Sequence, residues 1–328
     1  MRYLSELVSE ERKIIKKSES FVLPYEVCRA VKKSYKVNLL ALGDVGGTVL
    51  MGLRLMGGGD PGIISEIGIY DLNDKLMRRY EREINQIAFP DRRKLPHAKM
   101  LTEDQLFDCD MFVFCASRGV PPVGAGGDVR MAQLQANKEL VSVYGKMAVE
   151  AGFKGLFAVV SDPVDPLCKA AFSCGLKEAQ VQGFGLGVMN GRAAYFAEMD
   201  DRFIQYLKEG RAFGPHGEDL VIADSIRTYD DELSCQLTEL TVRSNMETRA
   251  DGFKPYIAPA ISSGALSLLE TLHGRWNYSS VYYGKGTSGA FMGCLNRRAA
   301  EGIEVENMPL EEELFARIEK AYRNLEKL

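Results

Sequence analysis

Three histidines occur in the 328 residues, so any imidazole chemistry falls to His97, His216 or His273. His97 follows a proline in the basic stretch RRKLPHAK, a surface setting. His273 lies near the end of a helical stretch, LETLHGRW, where it would face the negative end of a helix. His216 lies in GPHGED (Gly214–Asp219). A second pattern with chemical content is Ala41-x-Gly43-x-x-Gly46, set between an apolar strand-like run and a helix-like one. Glycines there let the backbone turn tightly and approach a pyrophosphate, while a helix N-terminus offers free N–H groups and a positive dipole end. Gly43, Asp44, Val45 and Gly46 are the expected contacts; the first glycine of the usual fingerprint is Ala41 here. Asp71 ends the next strand, where an acid accepts from ribose hydroxyls and repels a 2′-phosphate, which favours NAD over NADP. The surplus length between Gly43 and Asp71 lies in GGGDPGIISE, and a solvated strand-end Asp is the alternative reading.

These residues need elements to hold them. Val37–Leu42 reads as a strand, followed by a glycine turn and a helix ending at Gly57–Gly59. Ser65–Tyr70 is a second strand, Asn73–Ile87 a helix and Asp110–Ala116 a buried third strand. A glycine- and proline-rich loop covers Ser117–Asp128; a helix runs from Val129 into Leu140–Gly152, and Gly155–Val160 is another strand. Strands alternating with helices imply a parallel sheet with crossover helices, an α/β Rossmann-type doubly wound fold. After Pro166 the texture changes to short helices, a glycine-rich Gly183–Gly187 segment and a long amphipathic helix, Leu310–Lys327. The expected organisation is a charged helical leader at 1–35 that packs on or extends the first domain, an NAD-binding domain at 36–166 and a mixed α+β catalytic, substrate-binding domain at 167–328.

Composition narrows the function classes. Length favours two packed domains, and 46% hydrophobic residues suffice for their cores. A net charge of −4 without a long basic tract argues against nucleic acid as the main partner. No apolar run has the length of a membrane span, and the first twenty residues lack a secretory signal, which places the expected site of action in the cytoplasm. Seven cysteines, none in a CxxC pair, read as reduced thiols rather than a metal site or disulfide frame.

GPHGED resembles the GEHGD segment that carries the catalytic histidine in lactate and malate dehydrogenases. Arg192, twenty-four positions earlier in GFGLGVMNGR, resembles the arginine closing that family's G-x-G-x-x-L-D-x-x-R segment. SDPVD (Ser161–Asp165) resembles its NPVD, and Arg130 with Asn137 seven residues on resembles its mobile-loop arginine and the helix behind it. The likeness runs from about Val37 to Ala316. It implies a small-molecule 2-oxo or 2-hydroxy acid as partner, NAD as cofactor and a homodimer or homotetramer. It also implies the roles. His216 exchanges a proton with the substrate oxygen, as suits a side chain whose reference pKa is about 6.5. Arg192 binds the carboxylate bidentately, and Arg130 polarises the carbonyl from a closing loop. Ser262 and Ser263, opening a helix in ISSGALSLL, resemble the family's hydroxyl lining the substrate pocket; Ser263 is carried as a substrate contact beside an equally open N-cap role.

The pattern breaks at three places. The family's aspartate three residues before the substrate arginine is Met189 here, with Asn190 beside it, while the family's asparagine in NPVD is Asp162. One change removes a carboxylate and the other adds one, which reads as relocation of the acid serving His216 to Asp162; a degenerate site, or His216 working unpaired or with Asn190, is the alternative. The discriminating position in the loop Arg118–Asp128 falls near Val123, among Pro, Gly and Ala. An apolar loop disfavours a dicarboxylate, although Arg118 could still supply a charge. The expectation is an NAD-dependent 2-hydroxyacid dehydrogenase acting on a monocarboxylic substrate with an apolar or aromatic side chain. Malate dehydrogenase, an opine- or imine-type reductase and a non-catalytic NAD-binding module are the alternatives.

Overall fold

The structure, a computed structural model, describes residues 1–8, 15–18, 32–59, 62–118, 129–300 and 302–328, with the backbone alone at 15–18 and 129–133. It divides into two units, Lys32–Gly183 and a second made of Met1–Val31 with Phe184–Leu328. The first strand, β1 (Ile15–Ser18), belongs to the second unit.

The unit Lys32–Gly183 alternates strand and helix. Its elements are β2 (Tyr35–Leu40), α1 (Asp44–Met56), β3 (Ile64–Tyr70), α2 (Asp74–Gln86), β4 (His97–Met100) and β5 (Met111–Phe114). They continue with α3 (Val129–Glu150), β6 (Leu156–Val159), α4 (Val164–Ser173) and β7 (Val181–Gly183). The strands pair in parallel in the order β7-β6-β5-β2-β3-β4. Counted within the unit this is 3-2-1-4-5-6, with β2 and β5 flanking the point where the winding reverses. Leu39, Phe112, Val113, Phe114, Phe157 and Ala158 are all fully buried, as strands covered on both faces require. Asn73 caps α2 by accepting from the amides of Lys75 and Leu76. The sequence reading passes over β4 because HAKM at the sheet edge buries only Ala98. The unit ends at Gly183 rather than 166, since α4 packs on α3 and β7 extends the parallel sheet.

The second unit continues with α5 (Leu186–Met199), α6 (Tyr206–Glu209), β8 (Arg211–Phe213), β9 (Val221–Ala223) and α7 (Asp231–Ala250). A π-helical turn, Pro259–Leu266, leads into α8 (Ser267–His273). The antiparallel strands β10 (Asn277–Lys285), β11 (Ser288–Ala299) and β12 (Gly302–Glu306) follow, and α9 (Glu312–Glu326) closes the chain. The described residues before β2 depart from the helical leader expected at 1–35. Their elements are a 3-10 turn at Leu4–Leu7 and the strand β1, which pairs in parallel with β12. The outer edge of β12 presents backbone donors and acceptors that a strand satisfies. Leu4 and Leu7 bury themselves with Leu310, Leu314 and Phe315. No helix among the described residues is long and apolar enough to cross a membrane.

Backbone geometry explains the glycine motif. Ala41 holds a φ of 74°, the left-handed region that the usual glycine would occupy freely. A Cβ on Gly46 would run into the Ala41 carbonyl oxygen, so only glycine lets α1 approach β2 this closely. Gly46→Ala should therefore destabilise the protein by at least about 2 kcal/mol through forced backbone displacement. Ala41→Gly should fall within about 1 kcal/mol of the parent, on the stabilising side, because relief of left-handed strain offsets added unfolded-state entropy. Urea unfolding midpoints check both; an unchanged midpoint in Gly46→Ala contradicts the packing described.

Candidate functional site

At the C-terminal end of β2 the chain turns through Ala41–Gly43 into α1, whose first turn leaves N–H groups without intrahelical partners. A Cβ built on Gly43, the N-cap, meets nothing within 4 Å, so the space before that turn is open. Asp71, directly after β3, is anchored by two backbone amides: Leu42 N–H donates to Oδ2 at 2.8 Å and Asn73 N–H to Oδ1 at 2.9 Å. These bonds tie the acid to the glycine turn, and an ionised carboxylate has further lone pairs for hydroxyl donors. An open cradle at a helix N-terminus with a fixed acid on the neighbouring strand fits a dinucleotide.

Asn137, wholly buried on α3, joins the loop ends beyond β5 and β6. Its amide group donates to the Asp162 carbonyl at 2.9 Å, and its Oδ1 accepts from the Arg118 amide at 2.8 Å. Ser161 Oγ donates to the Ala116 carbonyl at 2.7 Å, adding a second tie. Asp162 itself has an exposed side chain, beside a cis bond to Pro163. Arg130 lies in the first turn of α3, with a side chain outside the described part; Val123 lies outside the described residues altogether.

In the second unit α5 carries Arg192, half-buried, into a cavity of about 840 Å³. Tyr195, Phe253, Tyr256, Ile257 and Ile261 supply apolar walls, Asn245 and Thr248 polar ones, and Lys254 a second cation. Met189, one turn earlier and 1% exposed, lies against the guanidinium, whose Nη1 donates to its sulfur at 3.5 Å. Asn190 faces elsewhere: its Oδ1 accepts from the Tyr206 hydroxyl at 2.9 Å.

His216 sits in the loop joining β8 to β9. Gly214 enters this loop with a φ of 86° and bridges to Gly293 of β11, and Gly217 N–H closes back on the Pro215 carbonyl. Below the loop the hairpin is buried on both faces. Ala212, Leu220 and Ile222 pack with Val188, Met189 and Ala193 of α5, while Phe213, Val221 and Ala223 pack with Leu314, Phe315 and Ile318 of α9. At its base Arg211 is held by Glu306 of β12 in a buried fork, Nε to Oε2 at 2.6 Å and Nη2 to Oε1 at 2.8 Å. Burial pulls the Arg211 pKa down, but the Glu306 hydrogen bonds and charge outweigh it and keep the guanidinium protonated.

Other expected residues find different places. His97 opens β4 with an exposed side chain. His273 is the last residue of α8, but burial and then Arg275 push its pKa down, so a charged partner for the helix dipole is not favoured there. Ser263 is 2% exposed; its hydroxyl accepts from Val188 N–H at 2.8 Å and donates to the Gly185 carbonyl at 2.7 Å. It satisfies a helix N-terminus, that of α5 rather than of its own segment. Sequence reasoning missed Tyr206, Lys254, Tyr256 and the Arg211–Glu306 pair. Only the charge of Arg211, one residue before an apolar pair, offered a signal, and its partner lies far along the chain.

No family model matches the chain. It is 26% identical over 200 residues to an L-lactate dehydrogenase of Mycoplasma mobile, covering 60% of this chain and 59% of that protein. It is 32% identical over 135 residues to an L-lactate dehydrogenase of Mycoplasma pneumoniae, covering 40% of each. The matches thus span less than two thirds of these curated relatives. Among solved structures, a lactate dehydrogenase from a Medee basin deep-sea metagenome library superposes with a TM-score of 0.73 at 18% identity, covering 90% of this chain and 98% of that one. The malate dehydrogenase of Picrophilus torridus gives 0.71 at 18% identity, covering 89% and 95%. At such identity the structural likeness is one of fold.

The buried fork yields a stability test. Glu306→Gln leaves Arg211 buried beside a neutral group and should cost about 3 kcal/mol, whereas Arg211→Met with Glu306→Leu should come close to the parent. Denaturant unfolding measures both. A loss below about 1 kcal/mol in Glu306→Gln would mean that the pair does not pin the hairpin.

Proposed function

We propose that the chain is a divergent member of the lactate/malate dehydrogenase family and an NAD-dependent oxidoreductase interconverting a 2-oxo acid and its 2-hydroxy acid. The observation that carries the reading is that one unit holds both Arg192, in a cavity large enough for a substrate, and His216, on a hairpin buried on both faces. Gly43, Asp44, Val45 and Gly46 would hold the pyrophosphate and Asp71 the ribose hydroxyls, with the carboxylate repelling a 2′-phosphate. Bound NADH supplies the hydride. His216, as imidazolium, gives a proton to the carbonyl oxygen during reduction and takes one from the hydroxyl during oxidation. Arg192 grips the substrate carboxylate with two parallel N–H donors, which fixes the face that reacts. Arg130 polarises the carbonyl.

The apolar walls of the Arg192 cavity support a substrate with a branched or aromatic side chain, in keeping with the apolar loop around Val123. Lys254 in the same cavity favours a second reading, a dicarboxylate such as oxaloacetate. NADH or NADPH consumption with pyruvate, oxaloacetate, 2-oxoisocaproate and phenylpyruvate, with and without an amine, separates the two. The expected result is NADH-dependent reduction without an amine, highest in kcat/KM for the bulky apolar acids. Arg192→Lys should raise the 2-oxo acid KM about tenfold or more and lower kcat, because the fork is lost while the charge remains. Highest activity on oxaloacetate would overturn the side-chain assignment, and no consumption with any acid would overturn the enzyme reading.

Asp162 enters this reading as a catalytic carboxylate. Asp162→Asn, nearly isosteric, should lower kcat for reduction about tenfold. An unchanged rate would remove Asp162 from the chemistry.

A further inference from the structure

We propose that Ser263 is a positioning residue that sets the place of Arg192 through the first turn of α5; the inference rests on the reading of Arg192 as the carboxylate anchor. The N-cap of α5 is Gly185, which has no side chain to satisfy the amides of the first turn. Ser263 does so from another segment: its Oγ accepts from the third amide of the helix, Val188, and donates to the carbonyl of the N-cap itself. One hydroxyl thereby closes both ends of the opening turn.

The segment that delivers it is unusual. Ser263 lies in the π-helical turn Pro259–Leu266, a local widening that α-helices adopt rarely and often at functional sites. Gly187 lets the two backbones meet: a Cβ there would lie 2.6 Å from Ser267 Oγ, 2.7 Å from the Ser262 carbonyl and 3.1 Å from Ser263 Cα. Ser267 Oγ in turn donates to the Ser262 carbonyl at 2.8 Å, holding the widened turn in shape. Val188 and Arg192 are four residues apart, so they lie above one another on one face of α5. Both line the cavity to which Ile261 and Ser262 of the π turn also contribute. The clasp at the Val188 amide therefore fixes the axial and rotational setting of α5 against the π turn. A side chain one turn along inherits that setting, and small displacements of a carboxylate fork are costly in rate.

The test is a double-mutant cycle of Ser263→Ala and Arg192→Lys, read as KM and kcat for the best 2-oxo acid and KM for NADH, with the melting temperature of each protein. Ser263→Ala should raise the 2-oxo acid KM about tenfold and lower kcat, leaving the NADH KM within about twofold. In the Arg192→Lys background the same change should alter the 2-oxo acid KM by less than about twofold, because the fork it positions is gone. Ser263→Cys keeps the volume and weakens the hydrogen bonds; it should fall between parent and alanine, and it carries the cycle if Ser263→Ala does not fold. Equal effects of the Ser263 change in both backgrounds, or an NADH KM that rises in parallel, would overturn the proposal and leave Ser263 a general stabilising residue. If instead Arg192→Lys alone leaves the kinetics unchanged, it is the carboxylate role of Arg192 that fails.

Discussion

The β8–β9 hairpin has no solvent face below its loop. Side chains alternate along a strand, so Ala212 and Ile222 point one way, into the apolar face of α5, while Phe213, Val221 and Ala223 point the other way, onto α9. The Arg211–Glu306 fork removes the remaining freedom at its base. A register slip by one residue would exchange the two faces and bring the Arg211 charge into the apolar wall, which fixes the pairing strongly. The loop holding His216 is thereby carried by an element buried on both faces, and α5, which covers one of those faces, carries Arg192. Sites built on strands and helices hold their geometry better than sites built on free loops.

The substitution at Met189 follows the same logic. Its neighbours in the cluster are Val188, Ala193, Ile222 and Leu237, an apolar setting in which an ionised carboxylate would be costly without a strong partner. Methionine fills that space and lays a polarisable sulfur against the Arg192 guanidinium. The Asn190 amide, the nearest polar group in sequence, is committed to Tyr206 instead.

Much of the first unit was legible because its signals are local. Apolar runs such as Asp110–Ala116, the turn glycines and the cap at Asn73 each act within a few residues, and strand alternation with helices fixes the sheet order with few alternatives. β4 escaped because an edge strand with one buried residue lacks a hydrophobic pattern. The leader escaped because its strand is set by the free edge of β12, nearly three hundred residues away. The motifs single out Arg192 and His216 as candidates, and the structure puts both in one unit, whereas Ser263 could not be given its place. Its hydroxyl serves Gly185 and Val188 across a long sequence separation, a relation that no local spacing encodes. The cavity walls Tyr195, Tyr256 and Lys254 escaped for the same reason.

We propose that this chain moves a hydride between a nicotinamide and the second carbon of a 2-oxo acid. Mass spectrometry of the product formed with NADH deuterated at the transferable position of C4 tests it directly. The account predicts a 2-hydroxy acid with a single deuterium at C2, formed one for one with the cofactor consumed. A product without deuterium at C2, or no product while the folded protein binds NADH, would contradict it.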